Sequence, residues 1–481
     1  MAFIRKVKTA SGATAVQLAH KSHGRITRIE HIGSAHNASD LDSLVAFARQ
    51  RLDKFQLSLF QDVDRSLPIE LKKSFSGLLF DLLKEQYASL GLSILCDEDF
   101  ALLCIARIVE PTSKLDSIRV LSDLGVDGLT KDRLYRCLKR VATKEYRTSI
   151  AKICVAQAQS KGITLVLYDV TTLYFEVQRD DDYRKPGMSK ERRLEPQIIV
   201  GLLVNQEGFP LELHSFEGNK AETSTILPVI EAFREQHSLK NITVVADAAM
   251  LSAKNLQALT DAGFDYIVGS RLNKTPYNIA ERQKDALLAD NQIITEQKDG
   301  YRIVYQYRQK RAALDLRNIE KQIAKAEKIV KGQAPAKKAK FLTVKTTEKA
   351  LNQDLIDKAT ALAGVKGYVT NLDIPDDQVI AYYHQLFHVE ASFRMAKSDL
   401  KARPIFHHTR QTIEAHLTVV FAALAIARNV EKRTGISIKQ FVKTIRPIRS
   451  GIITIQGKEY VAQPKITKEA IALIENLKPG H

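Results

Sequence analysis

The sequence predicts an α/β protein, a mixed sheet with flanking helices, interrupted by an α+β insertion and preceded by a small sheet and a helical region. Three observations carry this. From 163 to 270, apolar runs of strand length (ITLVLYD, QIIVGLLVN, PLELHSF, ITVVAD, FDYIVG) alternate with stretches of helical period. From 67 to about 161 the apolar period is helical almost throughout. From about 271 to 365 the pattern breaks, and the strand GYVTNL then restores it.

In chain order, the first 35 residues give short β-like runs (FIRKV, ATAVQLAH, RITRIEHI) separated by Ser-Gly and His-Gly turn signals. A helix is expected from Asp40 to about Leu57 with Ser39 as its N-cap. Within the helical region, SKLDSIRVLSDLGVDGLTKDRLYRCLKRV reads as two helices joined by a Gly-containing turn, Thr130 capping the second. That second helix carries Lys131, Arg133 and Arg136, as a recognition helix in a DNA groove would; the competing reading is a solvated basic face on an ordinary helical hairpin.

Strand ITLVLYD ends in Asp169 and strand ITVVAD in Asp247. After the fifth strand, IITEQ and YRIVYQYR suggest strands. Ala312, Leu316, Ile319, Ile323, Ala326 and Val330 then form the narrow seam of a helix stopped by Gly332. A helix is expected over 381–403, and TRQTIEAHLTVVFAALAIARNVEKR reads as a long apolar helix buried beside the sheet. The last 45 residues are a basic mixture with little periodicity.

The chain has 481 residues, enough for two to four domains. Its 44% hydrophobic and 26% charged content is that of a globular protein, and 72 Lys and Arg against 55 Asp and Glu leave +17, which favours a polyanionic partner. No apolar run is expected to span a bilayer, and the amino terminus lacks a signal-peptide core, so a cytoplasmic protein without a membrane role is expected. Cys96, Cys104, Cys137 and Cys154 lack C-x-x-C spacing and read as reduced core residues. There is no G-x-x-x-x-G-K-[ST], which argues against nucleotide hydrolysis, and no pattern frames His384, His388, His407 or His408 as a zinc site.

Open α/β sheets place ligands at the carboxyl ends of their strands, where Asp169 and Asp247 fall. In the helix over 381–403, Tyr383, Glu390 and Lys397 are seven apart, so at about 100° per residue they share one stripe, with Arg394 four beyond Glu390 on nearly the same side. If the three carboxylates converge, hard divalent cations relieve their repulsion best, and oxygen-only ligands suit two Mg²⁺ or Mn²⁺ ions of the kind that cleave phosphodiesters.

These residues resemble the DDE transposases of bacterial insertion sequences. The resemblance extends from about Leu95 onward and is clearest in LYDVTTLYFE, GLLVNQEGFPLELHSFEGNKAETST, VADAAMLSAKNLQAL and the 381–403 segment with its RPIFHHTRQTIEAHL continuation. It implies an RNase H-like core in which Asp169, Asp247 and Glu390 are catalytic and hold the metals. Of the family's Tyr, Arg, Glu, Lys signature, Tyr383, Glu390 and Lys397 are in place, but Leu386 stands where the arginine belongs, and Arg394 is the substitute candidate. The organisation expected is 1–60, small sheet plus helix; 61–160, helical and DNA-binding; 161–270 and 366–435, the two parts of the core; 271–365, the insertion; and 436–481, a basic terminal region.

The function expected is a transposase, nucleoid-associated, that binds the terminal inverted repeats of its element as a synaptic homodimer, hydrolyses the end phosphodiesters and joins the 3′-hydroxyl to target DNA. A metal-dependent nuclease without strand transfer, or a transposase-derived DNA-binding regulator, are the alternatives.

Overall fold

Strand-length apolar runs in the middle of the chain fold into one large mixed sheet, and helical runs before and after it cover its faces. The structure is a computed structural model. It describes all residues except 1, 11, 23, 58–68, 144, 160–164, 177–179, 188–194, 241, 249–251, 271–278, 280–287, 336–338, 346–347, 456 and 479–481. Two units result, Met1–Lys73 with Gly451–Ala462, and Ser74–Ser450 with Gln463–His481.

In the smaller unit, β1 (Ala2–Lys8), β2 (Thr14–Ser22) and β3 (Arg25–Ala35) form an antiparallel meander, and the alternation of ATAVQLAH buries Val16 and Leu18 with Ala48 of the Ala38–Leu57 helix. That helix already begins at Ala38, before the Ser39 expected as its N-cap, and Asn37 Oδ1 accepts from Asp40 N at 2.8 Å. β4 (Glu70–Phe75) corrects the expectation of helix from 67 onward.

The larger unit begins with helices Gly77–Ser89, Glu98–Val109, Ser117–Asp123, Lys131–Thr143 and Tyr146–Gln159. Next come β5 (Leu165–Tyr174), β6 (Gln197–Val204), β7 (Pro210–Glu217), β8 (Thr243–Ala246) and β9 (Asp265–Ser270). β5 to β7 are antiparallel, while β5, β8 and β9 are parallel, the arrangement of an RNase H-like core. Period-2 alternation sends Leu165 and Leu167 to one core, with the helices just named, and Val166 and Tyr168 to the other, with helices Ile226–His237 and Ala253–Asp261.

The segment between β9 and the next core strand divides. β10 (Ile293–Lys298) and β11 (Tyr301–Tyr307) extend the large sheet, whose order among the described residues is β10-β11-β14-β9-β8-β5-β6-β7, with β14 at Val365–Thr370. Helix Gln309–Val330, the hairpin β12 (Leu342–Lys345) and β13 (Glu348–Leu351), and helix Gln353–Ala361 instead gather around a separate small core of Ile319, Ala326, Phe341 and Ile356.

Helix Arg410–Thr434 is long and apolar enough to cross a bilayer, contrary to the expectation that no run would be, but 83% of its apolar window is buried inside the protein, where it forms the centre of the main core. The terminal region is also more ordered than its sequence suggests. It holds helices Ile438–Ile445 and Lys468–Leu477, and a hairpin of β15 (Ser450–Ile455) and β16 (Lys458–Ala462) that pairs with β4.

Candidate active site

The register of two strands sets the site. β5 and β8 pair in parallel with Leu167 opposite Val245 and Tyr168 opposite Ala246, so Asp169 and Asp247 come next, side by side on neighbouring strands about 4.8 Å apart. Alternation turns both to the face of Leu167 and Val245, the face against which the helix of Glu390 packs through buried Val389. Asp169, Asp247 and Glu390 consequently line one cavity of about 250 Å³, together with Lys366, Tyr383, His384, Leu386, Phe387 and Val389.

The expected single helix over 381–403 is broken. Helix Asp376–His384 ends in a turn at Gln385 and Leu386, helix Phe387–Arg394 follows, and Met395–Asp399 is a π-helical turn. Tyr383 and Glu390 still share the cavity because both helices seat on the same core, through Val379 and Ile380 in one and Val389 and Phe393 in the other. Helix Phe387–Arg394 is anchored by Ser392, whose hydroxyl donates to the carbonyl of Gly208 at 2.7 Å. Gly208 has φ +78 in the β6–β7 turn, a conformation that favours glycine.

Tyr383 is buried, and its Oη donates to Asp247 Oδ1 at 3.0 Å; burial and then Asp247 push its pKa up, so it stays a donor at all ordinary pH. Room for the ring comes from Gly269 on β9, where a Cβ would stand 2.5 Å from that hydroxyl. Lys397 donates to Thr171 Oγ1, two residues beyond Asp169 on β5, and does not line the cavity. Arg394 is exposed and also lies outside the lining, whereas Leu386 is part of it.

Lys366 is the cation the sequence reading missed. It enters from β14, with Nζ 4.2 Å from the ring centroid of Tyr383 and 5.6 Å from that of Tyr368. Burial and then Arg311 lower its pKa, while Asp247 and Glu390 oppose the shift. The signal was a lysine set among the small and apolar residues of LAGVKGYVT. His384 is likewise held toward its neutral form, by burial and then by Lys366.

Among the described residues, the Glu390 carboxylate has no hydrogen bond or ion pair, and no three His, Cys, Asp or Glu groups stand close enough to enclose a metal unaided. Mg²⁺ keeps several waters and takes one or two carboxylates plus substrate phosphate oxygens in place of a full protein cage. The three carboxylates offer the oxygen donors that hard cations require, with the imidazole of His384 in the same lining.

The basic helix is only partly available. Arg133 pairs with Asp99 at 2.6 Å, whereas Lys131 and Arg136 are exposed, Lys131 lying 5.7 Å from the Tyr135 ring centroid. Thr130 caps the helix, accepting from Arg133 N at 3.3 Å.

The family model described as "Transposase DDE domain" matches residues 160–426, more than half of the chain. Among solved structures, a piggyBac transposase synaptic complex with hairpin DNA is 11% identical, with 79% of this chain and 82% of that chain covered and a TM-score of 0.42. The Mos1 transposase paired-end complex with the left transposon end is 12% identical, with 46% of this chain and 66% of that chain covered and a TM-score of 0.17. No curated protein matches significantly.

Proposed function

The chain belongs to the DDE transposase family, and from that premise we propose that it cuts the phosphodiesters at the terminal inverted repeats of its own element and transfers the freed 3′-hydroxyl ends into target DNA. The observation that supports this is that Asp169, Asp247 and Glu390 line one cavity where the parallel pairing of β5 and β8 ends, β5 itself running on to Tyr174.

Asp169, Asp247 and Glu390 would hold two divalent cations, Mg²⁺ or Mn²⁺, which supply activation of the attacking oxygen and neutralisation of the leaving one. Tyr383 fixes the rotamer of Asp247 through its hydroxyl, so the carboxylate is preorganised. Lys366 supplies positive charge inside the cavity, where the family signature has an arginine and this chain has Leu386. Lys397, held by Thr171, and Arg394 on the exposed side of its helix are phosphate contacts flanking the cut. Lys131 and Arg136 extend the DNA contact to the helical region, and two copies of the chain bring both ends of the element together in the bacterial nucleoid.

The decisive comparison is Glu390→Gln beside Asp399→Asn, with labelled element ends and a plasmid target. The first should abolish cutting and joining while DNA binding persists, and the second should retain both. Cutting without joined products in the wild type would reassign the chain as a nuclease, and wild-type cutting by Glu390→Gln would remove the acid assignment altogether.

A further inference from the structure

A second cavity, of about 610 Å³, lies between the Glu98–Val109 helix, the loop after it, residues 401–407 and the Arg410–Thr434 helix. Arg107, Lys114, Lys401, Arg403, His407 and His416 all contribute to its wall, and none of the lining residues is acidic. Arg107 is 7% exposed, Lys114 6% and His416 4%. Lys114 Nζ donates to His416 Nδ1 at 3.3 Å, and His416 Nε2 donates to the Ala402 carbonyl at 3.1 Å.

Among the described residues, Lys114 has no carboxylate partner, and Arg107 has neither an ion pair nor a hydrogen bond. The Arg107 nitrogens are not sealed against protein atoms either, so they open on the cavity. Buried charges are ordinarily paired, because leaving one unpaired costs more than any surface interaction returns. Each buried group here records the same deficit. Burial brings Arg107 down to about 10; burial and then Arg107 hold Lys114 well below its ordinary value; burial and then Lys114 lower His416 and take His407 to about 4. The cavity lacks negative charge.

Its position says where that charge comes from. Residues 401–407 begin four residues after Lys397, and they are tied to the end of β5 by a bridge between Phe175 and Ile405 and by Arg403, whose guanidinium lies 5.3 Å from the Tyr174 ring centroid. Tyr174 is five residues beyond Asp169 on one strand, about 16 Å at roughly 3.3 Å per residue. That is the rise of about five nucleotides of a DNA strand at roughly 3.4 Å each.

We propose that this cavity is a phosphate site, in which Arg107 and Lys114 hold one backbone phosphate of the element-end strand about five nucleotides from the phosphate that is cut. The assignment rests on reading the chain as an enzyme that acts on DNA. The guanidinium offers a planar fork and the ammonium a point charge, a pair suited to two non-bridging oxygens.

Two experiments on the full chain test it. In the first, inorganic phosphate is titrated at constant ionic strength and the Tm followed. Wild type should be stabilised beyond a chloride control, and Lys114→Met and Arg107→Met should each lose most of that response. In the second, a duplex of the inverted repeat is bound in EDTA, so that no cutting occurs. The slope of log K against log salt should fall by about 1 in either variant, the loss expected for one phosphate contact. Without added anion, Lys114→Met should melt at or above wild type, because it removes a buried cation that has no acid; a merely structural lysine would give a lower Tm. An unchanged slope overturns the strand assignment, and if the variants nonetheless lose the phosphate response the cavity takes the free ion. Loss of neither response in both variants overturns the site. Because the DNA arm needs no metal, its result in an Asp247→Asn background stands even if the carboxylate assignment fails.

Discussion

Two sets of acids in the larger unit are treated in opposite ways. Glu414, Asp97 and Asp123 are clamped by arginines: Glu414 by Arg147 at 2.5 Å, Asp97 by Arg140 at 2.8 Å, and Asp123 by both Arg446 and Arg449. Each is held below its ordinary pKa, because these partners outweigh the burial that would raise it. Among the described residues that line the cavity of Asp169, Asp247 and Glu390 there is no arginine, and the cation there, Lys366, lies over two aromatic faces. Acids that hold the fold together are given their counter-charge in advance, whereas Glu390 has no ion pair among the described residues.

That contrast breaks most visibly at the site itself. Glu390→Gln and Asp247→Asn should each cut element ends at least about 10²–10³-fold more slowly than wild type, with the Tm unchanged or slightly raised, since they relieve repulsion. Equal loss of melting temperature and activity would place these acids with the structural set.

The opposite result is expected at Glu414. Its carboxylate accepts from the Tyr183 and Ser215 hydroxyls at 2.6 and 2.7 Å as well as pairing with Arg147, so Glu414→Ala strands a half-buried guanidinium and two donors. Urea unfolding should show a loss of about 2–4 kcal/mol. The same residue predicts a pH dependence. Because its folded pKa lies below the ordinary 4.5, its stabilising contribution is complete above that value and is lost as pH falls through the folded pKa. Acid unfolding should therefore be less steep below about pH 4.5 in Glu414→Gln than in wild type.

Tyr383→Phe sharpens the comparison between the sets, since it removes the hydroxyl partner of Asp247 while keeping the ring. The Mg²⁺ concentration giving half-maximal cutting should rise about 10–100-fold, the usual effect of losing a group that orients a ligand. The smallest effect is expected at the exposed basic helix. Lys131→Glu and Arg136→Glu should each flatten the salt dependence of DNA binding by about one phosphate contact, with folding intact. Arg133→Glu should also lower the Tm, because it opposes Asp99.

What could be read from the sequence follows the range of the forces involved. Asp247 was legible because an apolar run that stops at an aspartate marks a strand end, as β8 does at Ala246, whereas the end expected at Asp169 is not one, since β5 runs on to Tyr174 through VTTLY. Glu390 and Tyr383 were legible from spacing, although the straight helix assumed for them is interrupted at Gln385 and Leu386. Lys366 carries only the signal of a lysine in an apolar strand, and what it faces is set by Tyr383, which arrives on a later helix. Arg107 and Lys114 sat in ordinary helical pattern, and nothing in a linear sequence tells that a cation will be enclosed without an acid. β4 was missed because ELKKSF looks like a charged surface stretch, and its strand identity comes from β15, near the other end of the chain.

Such long-range closure governs when the protein becomes competent. The hydrogen bond from Tyr383 to Asp247 spans 136 residues, and that from Lys397 to Thr171 spans 226. At about 5–20 residues per second, a ribosome needs roughly 10–45 s to make the longer interval. A nascent chain halted before residue 376 carries both aspartates but none of the Tyr383, Glu390 and Lys397 side chains. The cavity of Asp169, Asp247 and Glu390 is thus completed only once the helices after residue 376 have been made.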